Sequence, residues 1–139
     1  MDKKQILLAL IIFYVSVLPL LAENEFPIDK FEQQCMSKDY STAGMANCTY
    51  EAADKWDAEM NKYYKLLMKI LSKDDRIELK QAQLTWLKFR DAERKILDEV
   101  YPSSPPTILI SIKASEWCNM IKTRVLQLKS LYDSINECH

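Results

Sequence analysis

The sequence predicts an all-α fold: an up-down-up antiparallel bundle of three long helices, preceded by a short N-terminal helix and stapled by disulfides. Three observations predict it. The 139 residues include a single glycine, and the turns of sheet proteins need many more. Apolar side chains recur at steps of three and four through segments of about thirty residues. Four cysteines, Cys35, Cys48, Cys118 and Cys138, make an even set in a small chain, the signature of a disulfide framework.

The elements follow in chain order. Lys3 and Lys4 precede an uncharged apolar run from Ile6 to Leu21, broken only by Ser16 and Pro19, and Ala22 suits a cleavage site. This reads as a signal peptide over residues 1–22, leaving residues 23–139 as one domain. The rival reading is a retained N-terminal membrane anchor, for which the run is short of the roughly 20 residues of a span. Ile28, Phe31 and Cys35 then share one face of a short helix between Phe26 and Lys38. Ser41 or Thr42 caps a long helix reaching about Leu71, with Met45, Cys48, Ala52, Trp56, Met60, Tyr63 or Tyr64, Leu67 and Ile70 on its stripe. Ser72, with Asp75 three residues on, caps the next, which runs to Val100. Its inward residues are expected to be Leu79, Ala82, Trp86, Phe89, Ile96 and Val100. The segment from Tyr101 to Pro106 holds three prolines and cannot be helical. A last helix starts between Thr107 and Ser111 and shows Ile110, Ala114, Trp117, Ile121, Leu128, Leu131 and Ile135 on one face.

Composition excludes several functions. A formal charge of -1 leaves no basic excess for nucleic acid. One glycine cannot build a phosphate-binding loop. The only histidine, His139, is the last residue, so nucleophilic catalysis lacks an imidazole base. With no Cys-x-x-Cys pair, zinc is not indicated, and no metal, cofactor or catalytic residue is assigned. The chain reads as a binding protein and not an enzyme.

Cys35 and Cys48 lie almost symmetrically about the turn near Ser41, which predicts a disulfide between them. By elimination Cys118 pairs with Cys138. That pairing requires the tail after Tyr132 to fold back, because twenty residues of helix span about 30 Å. A polar set also falls in the apolar seam. Asn61 and Tyr64 share a face of the first long helix, and Gln83, Trp86 and Arg90 share a face of the second. A turn near Ser72 sets Asn61 near Leu87 and Tyr64 near Leu84, with Asp57 and Asp91 close enough to accept from Arg90. The reading adopted is a buried polar layer that fixes helix register; a ligand or partner site is the alternative.

The same residues carry a resemblance. Cys35, then Thr42, Met45 and Cys48, then Asp57, Met60-Asn61 and Tyr64, then Ala82-Gln83-x-x-Trp86-x-x-x-Arg90-Asp91 resemble the LprI-type lysozyme-inhibitor family. The resemblance covers residues 35 to 124. It implies a small helical domain exported by bacteria, periplasmic or secreted, whose protein partner is lysozyme. The chain departs from the family pattern at Arg94, where many members carry the cysteine that the resemblance makes the partner of Cys118. It departs again at Leu126, where a Thr-x-x-Arg element that begins at Thr123 ends without its arginine. The expected function is inhibition of a peptidoglycan hydrolase; the alternative is a structural or adaptor domain of the cell envelope without that activity. For an inhibitor the protruding Tyr101 to Pro106 loop is the expected contact, with Tyr101, Ser103 and Ser104 donating to carboxylates in the hydrolase cleft.

Overall fold

The structure is a computed structural model that describes residues 26–101 and 107–137. Among these residues there are four helices and no strand: α1 Pro27–Met36, α2 Thr42–Ile70, α3 Lys73–Val100 and α4 Thr107–Glu137. Each start has a local cause. Pro27 sits in the first turn of α1, where its missing N–H costs nothing. The Ser41 hydroxyl accepts from the Gly44 amide at 3.0 Å and caps α2. The Ser72 hydroxyl accepts from the Asp75 amide at 3.2 Å and donates to its carboxylate at 2.6 Å, closing the start of α3.

The single glycine, Gly44, is buried in the first turn of α2. A β-carbon there would run into the side chain of Asp39. The bare backbone lets that carboxylate fold over the helix start and accept from the Ser41 amide at 2.9 Å.

The core lies mainly between α2 and α4. Ala46, Ala52 and Ala53 of α2 and Ala114 of α4 are buried, and such small side chains let the two backbones approach closely. Trp56, Met60 and Leu67 pack there against Cys118, Ile121, Val125 and Leu128, with Leu79 added from α3. Contacts climb the two helices together: Ser111 donates to the Thr42 carbonyl, Lys122 lies over the Trp56 ring, and Tyr132 meets the edge of Tyr63. The two helices therefore run in the same direction. Trp56 is wholly buried and its Nε1 has no acceptor among the described residues, a cost of about 1–3 kcal/mol set against the burial of its indole between Phe26 and Lys122.

Helix α1 is sewn to this pair by three kinds of bond. The Cys35–Cys48 disulfide joins it to α2, with α-carbons 5.6 Å apart. Thr49 donates to Glu32 at 2.8 Å, and Lys122 of α4 pairs with Asp29 at 2.8 Å.

Two expectations are corrected. Cys118 is a free, buried thiol. Helix α4 continues unbroken to Glu137, so the chain does not fold back after Tyr132; Cys138 lies outside the described residues. Helix α3 also turns less of its apolar surface inward than its pattern suggested. Only Leu79, Gln83 and Leu97 are buried. Phe89, Ile96 and Val100 are 52%, 47% and 63% exposed, and Ala82 is exposed. Because α2 and α4 fill each other's faces, α3 meets them along one narrow stripe and its second apolar stripe stays outside. Ile70 and Leu131 are exposed for the same reason, 41% and 44% respectively.

Candidate functional site

The polar set gathers on α2 and α3, as their short connection requires, but it is not a buried layer. Of its members Gln83 alone is buried; Tyr64, Trp86 and Arg90 are half-buried, and Asn61 and Asp91 are exposed. With little of α3 inserted in the core, the space between the helices stays open as a cleft of about 320 Å³, lined by Asp57, Asn61, Tyr64, Gln83, Leu84, Leu87 and Arg90 among others.

Its floor is Gln83. The amide donates to the Met60 sulfur at 3.4 Å, while its oxygen accepts from Arg124 Nε at 3.1 Å. That guanidinium, partly desolvated on α4, has its pKa drawn down by burial. At the upper end Arg90 is held on several sides. It donates to Asp91 at 2.8 and 3.0 Å, lies 3.5 Å from Asp57, and rests near the rings of Trp86 and Trp117 at 5.7 and 5.9 Å. Asn61 turns back along its own helix, donating to the carbonyl and carboxylate of Asp57 at 2.9 and 3.1 Å.

Sequence reasoning missed Arg124. The arginine of the Thr-x-x-Arg element is absent at Leu126, yet a guanidinium still reaches Gln83, from the residue after Thr123. Nothing in linear spacing points to that, because the contact depends on how α4 is rotated against α3. Trp117 was read as core, yet its ring also carries Arg94 at 4.5 Å.

The second expected region is the loop after α3. Tyr101 closes that helix, its amide bonded to the Leu97 carbonyl at 3.1 Å. Its side chain is half-buried against α4, where loss of solvent and a hydrogen bond with Glu116 raise the phenol pKa. Ser103 and Ser104 lie outside the described residues. Beside Tyr101, Asp98 pairs with Lys113 at 2.6 Å and Arg94 at 3.8 Å, and the Lys113 hydrogen bond holds its carboxyl below the usual range. The end of α3 beside Tyr101 is thus of mixed charge, with Arg94 and Lys113 on Asp98 and with Glu116 on Tyr101, and Arg94 also lies over Trp117.

No curated protein is significantly similar to the chain. Among solved structures it resembles an uncharacterised protein from Burkholderia thailandensis, with a TM-score of 0.77 and 27% identity over 83% of this chain. The match spans only 58% of that protein's length. The family model of the lysozyme inhibitor LprI matches residues 33–128, from the end of α1 to Leu128 in the core. This stretch holds the disulfide, the α2–α3 cleft and Arg124, and by it the chain belongs to the LprI lysozyme inhibitor family.

Proposed function

We propose that the protein is an exported inhibitor that binds a lysozyme-type peptidoglycan hydrolase and blocks its cleft with the segment beginning at Tyr101. Family membership supports a protein partner and a role other than catalysis. The Cys35–Cys48 disulfide supports an oxidising compartment, periplasmic or secreted. A leader over residues 1–22 would deliver residues 23–139 there as the domain.

The observation that carries the choice of contact is Arg94, near the C-terminal end of α3 that leads into Tyr101. Arg94 keeps 43% of its side chain exposed while stacked on Trp117. Lysozyme-like clefts work through two carboxylates, and a guanidinium already held in place pays little entropy to meet one. Tyr101, Ser103 and Ser104 add hydroxyl donors on a proline-stiffened segment. The exposed apolar stripe on α3 favours a second reading, an envelope adaptor without inhibitory activity.

The test is the turbidity of a cell-wall suspension during lysis by lysozyme, with and without the purified protein. Slower lysis is expected, and replacing Tyr101, Ser103 and Ser104 together with Ala should relieve it. Unslowed lysis leaves the adaptor reading. Inhibition that survives the triple change moves the contact to the helix faces.

A further inference from the structure

Helix α3 carries two apolar stripes, and the molecule uses one. The second runs through Ala82, Thr85, Phe89, Ala92, Ile96 and Val100, every one of them exposed. The steps from Ala82 to Ile96 are three, four, three and four, the alternation that gives a coiled-coil seam. Large residues, Phe89 and Ile96, alternate with the small Ala82, Thr85 and Ala92, as interdigitating layers require. A helix this long draws most of its stability from packing, yet α3 buries only three side chains within its own chain.

We propose that this stripe pairs with the same stripe of a second copy, α3 against α3 in parallel, forming a two-fold symmetric dimer. The flanking charges choose the occupant and the direction. Lys88 precedes Phe89 on one side of the seam, and Glu93 follows Ala92 on the other. In a parallel pair Lys88 of one copy reaches Glu93 of the other, and symmetry repeats the ion pair. An antiparallel pair sets the Lys88 and Lys95 flank against itself, like charge on like. The stripe is thus complementary to its own copy and in one direction only. Both helices are already formed, so pairing costs little ordering. The seam is short, roughly 27 Å at 1.5 Å per residue, which suits a reversible dimer.

Sedimentation of the purified protein over a roughly hundredfold range of concentration tests this. A concentration-dependent dimer is expected. The double change Phe89→Glu, Ile96→Glu should weaken it on the order of 30-fold or more while circular dichroism stays unchanged, because both side chains are at the surface. Lys88→Glu alone should weaken the dimer, and adding Glu93→Lys should restore it. A monomer at every concentration overturns the proposal, as does a dimer indifferent to Phe89 and Ile96. A dimer that needs the apolar pair but ignores the charge exchange overturns the parallel arrangement. A monomer whose binding to a hydrolase is lost on changing Phe89 and Ile96 overturns the pairing and gives the stripe to the hydrolase.

Discussion

Cys118 shows how far environment sets the chemistry of one side chain. It is 4% exposed, and burial pushes its thiol pKa from 9.0 to about 12, with Glu32 and Asp29 adding to the rise. A neutral thiol neither attacks nor is readily alkylated. Iodoacetamide at neutral pH should leave Cys118 unmodified in the folded protein and label it fully in denaturant, as read by peptide mass mapping. Labelling at equal rates in both would show that the site opens. The same shift has a consequence for stability. The folded state holds the proton more tightly than the unfolded state, so the contribution is whole below about pH 9 and is lost as pH rises toward 12. Thermal melting should therefore fall across that window, and Cys118→Ala should flatten the fall. The position of Cys118 on an inward face was legible from the sequence. Its solitude was not, because the pairing by elimination assumed a bend that α4 does not make.

Among the elements, helix boundaries were the most legible feature, since their causes are local. Ser41 and Ser72 each start a helix by accepting from an amide three residues on. The face that α3 turns inward was not legible. Both of its stripes satisfy helical spacing, and only the prior packing of α2 on α4 decides between them. That choice also changes the energetics of the polar set. Were Arg90 fully buried, its loss would strand its partners at about 3–5 kcal/mol. Instead its side chain is 22% exposed, and Asp57 and Asp91 are 40% and 63% exposed. Solvent screens such pairs to about 0–1 kcal/mol, and the stacking on Trp86 and Trp117 adds a similar amount. Arg90→Ala should cost about 1–2 kcal/mol in urea unfolding. A loss of several kcal/mol would mean that the cleft is closed in solution.

The whole molecule is built unevenly. Nine residues of α2 are buried and three of α3, so the bundle has a firm pair of helices and a looser third. Helix α3 is held by the Arg124–Gln83 bond, the Asp98–Lys113 pair and the arginines on Trp117, mostly at half-exposed sites. Regions with little burial open at lower free energy than the core. Amide hydrogen exchange should release α3 before α2 and α4, and uniform exchange across all three would contradict this ranking. If α3 pairs with a second copy, its protection should rise with protein concentration while that of α2 does not.

The shared direction of α2 and α4 also bears on how the chain reaches this state. Thr42 and Ser111 touch, yet they stand 69 residues apart. Local steps come early: α1 folds back on α2, and the Cys35–Cys48 bridge closes a short loop. The core cannot follow, because Trp56, Met60 and Leu67 find their cover on Ile121, Val125 and Leu128. A chain that emerges from its N-terminal end holds those three apolar side chains unburied until nearly all of it has appeared. During that interval it is a two-helix hairpin with an uncovered face, open to chaperones, proteases and other nascent copies. Closing so long a loop is slow compared with bundles whose neighbours in sequence are neighbours in space.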